Sequence, residues 1–367
     1  MLLIQTDRDT LLKPLQAVTG IVERRHTLPI LSNVLIETRQ NQILFLATDL
    51  EIQISTSAEG KKLSEHAVTV AAKKLQDILR ALPDNIPVAL EAQSNRLLVK
   101  AGKSRFNLQT LPAEDFPRLA EGAEVLGLFN LPQKELRRLF LMVQYAMAQQ
   151  DIRYYLNGLL LVVDENHLRV VATDGHRLAY ASSSHDGNMQ RQEIILPRKA
   201  VLELAKLMTD TEEPVSIELL QNQVRFRFSN ITLVSKVVDG KFPDYTRVIP
   251  ENYQKHVILG RTILLQALQR AAILSNEKFR GVRLVLTENS LRTVCTNSEQ
   301  EEAQEEIEVE YRDSALDIGF NVTYLLEVLN NLDAETVDLS FGDANSSVLI
   351  TMPGNPDFKY VVMPMRI

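Results

Sequence analysis

Thr173-Asp174-Gly175-His176-Arg177 brings a hydroxyl, a carboxylate, an imidazole and a guanidinium close together in the chain. Groups of these types could move a proton or hold an anion. The same Thr-polar step stands at Thr48-Asp49 and at Thr296-Asn297, at intervals of about 125 and about 123 residues. A pair that recurs at a domain-sized interval reads as a turn device. His176-Arg177-Leu178 replaces Leu50-Glu51-Ile52 of the earlier copy, and the residues alone leave open whether that difference is a binding site or an accident of core and surface. The six histidines show no metal-ligand spacing and no His-Glu-x-x-His, and no Gly-rich phosphate loop is present. Cys295, the single cysteine, stands in a strand-like run without a sign of activation, and cannot form an internal disulfide. No nucleophile–base constellation emerges, so no cofactor, metal or catalytic group is expected. The enzyme hypothesis reduces to a hydrolase or transferase around Asp174 and His176.

The elements that hold these segments repeat with them. Asp115-Phe116-Pro117 recurs as Lys241-Phe242-Pro243, each after a strand-like stretch. With 367 residues, three domains of ordinary size fit, and boundaries fall at the polar stretches Ala120-Glu-Gly-Ala-Glu124 and Pro250-Glu-Asn-Tyr-Gln254. The expected domains are 1–124, 125–254 and 255–367. Each third carries two apolar stripes at helical spacing: Leu11, Leu15, Val18 and Val22, then Leu75, Ile78, Leu79 and Leu82. Leu136, Leu139, Phe140, Val143 and Met147 follow, then Leu204, Leu207 and Met208; the last third has Leu265, Leu268 and Ala272, then Val322, Leu325, Leu326 and Leu329. Pro132 and Pro197 fall where a first helical position is expected, and Asn321 reads as an N-cap. Runs such as Val224-Arg-Phe-Arg-Phe228 and Glu306-Ile-Glu-Val-Glu310 alternate as half-exposed strands do. The class is α+β, with two helices per domain on one face of antiparallel sheets. No apolar run approaches the roughly 18 residues that a membrane span needs, and Met1-Leu-Leu-Ile soon meets Asp7, Arg8 and Asp9, so it reads as a first strand.

The net charge of −7 argues against a polyanionic partner until it is sorted by element. The segments 8–25, 71–82, 132–148, 197–208 and 261–274 each carry about +2, and 321–332 about −1. Helices together hold about +9 and everything else about −16. If the helices face one way, that surface attracts polyanions while the others repel them. Solvated helix faces are also commonly charged, and the sequence leaves the two readings open.

Two shorter segments bear on binding. Gln150-Asp-Ile-Arg153-Tyr154-Tyr155 joins tyrosines to an arginine that could meet bases, sugars or phosphates, although tyrosines also pack at helix ends. Pro197-Arg198-Lys199 is a second basic point, at a helix start whose dipole favours an anion. Lys103-Ser-Arg105-Phe106-Asn-Leu108 has a basic and an apolar face, near Lys73-Lys74. Glu299, Glu301, Glu302, Glu305 and Glu306 form an acidic strand. Open edges of opposite charge favour head-to-tail association, which closes into a ring if the rotation permits. A solvated acidic edge is the plainer alternative.

Leu28-Pro-Ile-Leu-Ser-Asn33, Gln150-Asp-Ile-Arg-Tyr-Tyr-Leu-Asn-Gly158, Ala172-Thr-Asp-Gly-His-Arg-Leu178, Asp239-Gly-Lys-Phe-Pro-Asp-Tyr245, Ala272-Ile-Leu-Ser-Asn-Glu-Lys-Phe-Arg-Gly281 and Tyr360-Val-Val-Met-Pro-Met-Arg-Ile367 closely resemble the bacterial replicative sliding clamps, the β subunits of DNA polymerase III. The likeness runs from end to end. It implies a non-enzymatic homodimer of three similar clamp domains per chain, closed head to tail into a ring with helices lining the hole. Such a ring encircles duplex DNA whatever its sequence and tethers the polymerase in the cytoplasm, at the nucleoid. Short apolar peptides would dock the polymerase III catalytic subunit, the clamp loader, other polymerases and repair factors. Arg25, Gln150, Tyr154, Tyr155, Arg198 and Lys199 match family positions that touch DNA. Arg153, Leu156, Thr173, Gly175, His176, Arg177, Leu178, Pro243, Arg247, Val248, Tyr324, Ser347, Val361, Met363, Pro364, Met365 and Arg366 correspond to the peptide pocket. The subunit contact implied is Lys74, Lys103, Arg105, Phe106 and Leu108 against Ile273, Leu274, Glu301, Glu302 and Glu305. Two departures are Ile367, often leucine in the family, and Glu23 beside the arginine pair of the first helix. The rival binding module is a repeat-built scaffold that docks proteins through the Met-Pro-Met pocket without encircling DNA.

Overall fold

The computed structural model describes residues 1–23, 27–60, 65–119 and 124–367. Arg25 and most of the first expected domain boundary lie outside the described residues. Among them are six helices: α1 (Arg8–Thr19), α2 (Ala72–Ala81), α3 (Gln133–Val143), α4 (Arg198–Leu207), α5 (Arg261–Ala271) and α6 (Val322–Asn331). Each odd-numbered helix opens with the same bond. The N–H of Arg8 donates to the Ile86 carbonyl at 3.1 Å, that of Gln133 to Glu213 at 2.8 Å and that of Arg261 to Glu335 at 2.9 Å. Each acceptor immediately precedes the strand that follows the even-numbered helix. One plan, strand–helix–four strands–helix–three strands, is therefore built three times, with the four strands of the middle copy fused into two long ones.

The apolar stripes lie where the spacing puts them. Leu11, Leu15 and Val18 of α1, Leu136, Phe140 and Val143 of α3, and Leu325 and Leu329 of α6 are buried. Asn321 caps α6, its side chain accepting from the Thr323 N–H at 2.9 Å. Asp7 does the same for α1 from Thr10 at 3.1 Å. Two boundaries differ from expectation. α1 stops at Thr19, well short of Arg25. Pro132 and Pro197 close the strands Val125–Pro132 and Gly158-paired Arg177–Pro197 instead of opening helices, so their missing N–H falls one residue before the first turn.

By packing, the described residues form two units, Met1–Leu136 with Leu202–Val237 and Arg137–Val201 with Val238–Ile367. The first holds a 12-stranded antiparallel sheet and the second a six-stranded and a four-stranded sheet. Strand pairing across the thirds explains this grouping. Ile52–Glu59 pairs with Ile231–Lys236, setting Ile52 opposite Ser235 and Ile54 opposite Leu233. Arg177–Pro197 pairs with Asn355–Val362, setting Arg177 opposite Val362 and Ala179 opposite Tyr360. The fourth strand of one third thus joins the last strand of the next, twice, by the same edge.

Candidate functional site

The Thr-Asp steps are turn devices in both repeats that have them. The Thr48 hydroxyl donates to the Ile52 carbonyl at 2.9 Å and accepts from the Leu50 N–H at 3.1 Å, while the Asp49 carboxylate accepts from Glu51 and Ile52. Thr173 donates to the Arg177 carbonyl at 2.6 Å and accepts from Gly175, and Asp174 accepts from the N–H groups of His176 and Arg177. Asn297 takes the place of the aspartate in the third copy, accepting from the N–H groups of Glu299 and Glu301. The turns need a left-handed residue, at Leu50 with φ 77° and at Gly175 with φ 88°. Glycine adopts it without strain, and its lack of a side chain lets the Arg153 guanidinium lie over the turn.

In the second unit this turn forms one wall of a cavity of about 470 Å³. Leu156, Leu178, Val361 and Phe242, all buried, make its floor with Tyr155 and Tyr245. Arg153, Thr173, Gly175, Arg177, Pro243, Arg247, Val248, Ser347 and Met363 complete the lining. An apolar floor with a few charged groups at the rim suits a short apolar segment. The structure does not set His176, Tyr324, Pro364, Met365 or Arg366 on these walls. His176 points to solvent from the exposed face of its turn, and Tyr324 lies behind Arg177, whose guanidinium is 4.4 Å from its ring centre. The chain leaves the cleft after Met363, whose N–H donates to the His176 carbonyl at 2.9 Å. Met365 then donates to Gly319 at 2.8 Å, and Ile367 packs on Gly281 and Gly319, glycines that leave room for it. Phe242 and Tyr245 line the cavity without being among the residues matched to it; their signal in the sequence is the aromatic of the repeated Phe-Pro step and the tyrosine two residues after its proline.

Arg177 is 7% exposed. Its guanidinium donates to Glu327, to Asp174 at 3.2 Å and to the Tyr145 carbonyl at 2.5 Å. Burial by itself weakens its hold on the proton, but Tyr360 and Glu327 outweigh that and its pKa is raised. Burial also raises the phenols of Tyr145 and Tyr360. At the rim, Arg153 donates to both carboxylate oxygens of Asp151, at 3.0 and 2.9 Å, and to the Asp174 carbonyl at 3.2 Å.

The residues matched to DNA contact occupy two places in this unit. Gln150 (φ 57°) begins the loop that Asn157 and Asp151 hold together, and Tyr154, 56% exposed, follows it in a short 3-10 turn. Tyr155 turns the other way, against the cavity floor. Arg198 opens α4 half-buried, its guanidinium 3.3 Å from the Met147 carbonyl, and burial lowers its pKa. Lys199 is its neighbour on the first turn.

Of the residues matched to subunit contact, Lys74 is exposed on α2 and the others lie on or beside two open edges. Ser104–Leu111 pairs with Arg96–Ala101 on one side and meets His66–Ala71 only through Thr110 and Leu111 on the other. Lys103 and Arg105 are exposed, and Phe106 and Leu108 half-buried. In the other unit Glu302–Glu308 is the outermost strand of its sheet, with Glu301 and Glu302 exposed and Glu305 held by Arg270 at 2.6 Å. Ile273, 77% exposed, projects just beyond α5, followed by Leu274. Ser340, His256 and Asp338 also meet, but hydroxyl and carboxylate share Nδ1 while Nε2 faces the Tyr253 carbonyl at 2.7 Å. That arrangement leaves no ring nitrogen to serve the hydroxyl as base through a relay. No group of three metal-ligating side chains occurs among the described residues.

Comparison with known proteins places the whole chain. Profiles of the DNA polymerase III beta subunit match in series: its N-terminal domain over residues 2–120, its central domain over 130–244 and its C-terminal domain over 246–366. The beta sliding clamp of Pseudomonas putida is 51% identical over 98% of both chains. That of Escherichia coli K12 is 44% identical over 98% of this chain and 99% of its own. A solved sliding clamp from Pseudomonas aeruginosa bound to griselimycin superposes over all of both chains with a TM-score of 0.96 at 47% identity.

Proposed function

The chain belongs to the DNA polymerase III beta subunit family, the sliding clamps, and on that premise we propose that two copies close head to tail into a ring around duplex DNA. The observation that supports the ring is the joint made twice inside the chain. Both joints pair the fourth strand of one third with the last strand of the next. One fourth-type strand, Glu302–Glu308, and one last-type strand, Ser104–Leu111, keep that edge open. Continuing the register of the two existing joints sets Glu301 of one copy opposite Leu108 of the other, Ala303 opposite Phe106 and Glu305 opposite Ser104. Phe106 and Leu108 then meet Ile273 and Leu274, while Lys103 and Arg105 meet Glu302 and its neighbours. Lys74 stands near Glu299. Apolar contact supplies the affinity and charge the register.

Within the ring, Gln150, Tyr154, Lys199 and the basic helices face phosphates. A contact that must slide is weak and blind to sequence, so retention is topological and electrostatics only centres the duplex. Tyr155 and Arg198 serve chiefly as supports, the first for the cavity and the second for the end of α3. The three domains are taken as 1–124, 125–254 and 255–367. The 470 Å³ cavity takes a short apolar peptide from the polymerase, the clamp loader or repair proteins, its Met363 edge adapting to different side chains. The protein performs no chemistry of its own and works in the cytoplasm. Loading onto nicked circular DNA, followed by linearisation, tests the reading. A threaded ring is retained on the circle and lost from the ends, whereas a docking scaffold behaves alike on both.

A further inference from the structure

The sixth residue of each even-numbered helix is a carboxylate: Asp77 in α2, Glu203 in α4 and Glu327 in α6. Counted from the start of each odd-numbered helix, the matching positions beyond the last turn are Gly20, Tyr145 and Ile273. Inside the chain these two sets meet. Glu203 lies so close to Gly20 that a Cβ there would collide with its carboxylate. Its Oε2 is buried, makes no hydrogen bond and has the Lys206 ammonium at 3.6 Å. Glu327 ion-pairs with Arg177, whose guanidinium also donates to the Tyr145 carbonyl.

What differs is the residue that the fourth strand offers to the acid. In the second joint it is Arg177, opposite Val362. The corresponding residue in the first joint is Ile52, opposite Ser235. In the last third it is Glu301, the residue whose N–H closes the Asn297 turn. A first joint with no strand cation and a second with a buried arginine would thus be followed by a third in which acid meets acid. Asp77 is exposed in the single chain and lines a groove with Val22, Glu23, Lys73, Lys74 and Arg80. It has no ion pair with a described residue, its helix neighbours Lys73, Lys74 and Arg80 included.

We propose that Asp77 is a carboxylate of the joint between copies, without an ion-pair partner among the described residues, set against the second copy's Ile273 and Glu301, and that it keeps this joint looser than the two within the chain. The inference rests on the head-to-tail reading above. Docking Ile273 takes water from Asp77 and brings the Glu301 carboxylate toward it, which opposes closure. A ring that must open to admit DNA then opens where two chains meet, because the covalently continuous joints lack that particular pairing of acids.

Equilibrium sedimentation of the full chain tests this, with unsubstituted protein, Asp77→Asn and Asp77→Arg compared at the same ionic strength. Asp77→Asn removes the charge and keeps the shape, and is expected to lower the dimer dissociation constant about tenfold. Asp77→Arg is expected to tighten it at least as much, by placing a guanidinium against Glu301 as Arg177 stands against Glu327, and Glu301→Gln should cancel that extra gain. A dissociation constant unchanged or raised by Asp77→Asn overturns the proposal while the dimer itself stands. An unsubstituted chain that sediments as a monomer at every concentration overturns the head-to-tail reading and the inference with it.

Discussion

The Arg177 guanidinium lies 4.4 Å from the centre of the Tyr324 ring and ion-pairs with Glu327, three residues further along α6. It joins the end of α3, through the Tyr145 carbonyl, to α6 and to the strand that carries Tyr360. Truncation would leave Tyr145 and Glu327 without their donor in a place water reaches poorly. Arg177→Ala should therefore cost about 2–3 kcal/mol, less than a fully buried pair because Glu327 is partly exposed. Urea unfolding reads the loss as a lower midpoint at unchanged slope. Arg177→Lys should not restore it, since an ammonium lacks the fork that reaches both Glu327 and Tyr145.

Gly175 stands at φ 88°, with an added Cβ only 3.0 Å from the Arg153 guanidinium. Gly175→Ala should cost about 1 kcal/mol through backbone conformation. It should also push Arg153 off the Asp174 carbonyl. Affinity for a short apolar peptide, followed by fluorescence anisotropy, should fall severalfold more than the stability loss explains. Equal affinity with intact folding would remove Arg153 from the rim of the site.

Local order was legible in the sequence and long-range order was not. Leu11, Leu15 and Val18, or Leu136, Phe140 and Val143, announce their helices because helical periodicity is written within a few residues. The Thr48-Asp49 and Thr173-Asp174 turns were legible for the same reason, since a side chain that caps its own turn needs no distant partner. The pairing of Ile52–Glu59 with Ile231–Lys236 has no such local signature, and with it went the merging of three thirds into two packed units. The tail shows the same limit. Nothing near Met365 reveals that Gly281 and Gly319, far back in the chain, leave space for Ile367 and draw the last residues away from the cavity.

Arg153 holds the Asp151 carboxyl at about 2, below the ordinary 3.8, by side-chain and backbone hydrogen bonds. The folded-state value is depressed, so the contribution is complete above pH about 4 and is lost as pH falls from about 4 to about 2. The loop from Gln150 to Asn157 should look alike at pH 6 and pH 8. Its amide resonances should shift together only in the acid range, and Asp151→Asn should produce the acid-state spectrum at neutral pH. A transition near pH 6 instead would mean that a group other than Asp151 governs the loop.

Gly319 permits the final turn of the chain, because a Cβ there would stand 2.5 Å from the Met365 carbonyl and collide with Ile367. Gly319→Val should therefore detach the last three residues and hasten the release of Ile367 by carboxypeptidase about tenfold or more, as expected when a local docking equilibrium opens. Met363 is anchored separately, on the His176 carbonyl at 2.9 Å, so the edge of the cavity should survive. Peptide affinity should then change by less than about threefold, since the cavity floor around Leu156, Leu178 and Val361 is untouched. If affinity collapses together with the tail, Met365 and Arg366 belong to the peptide site, to which the resemblance assigns them.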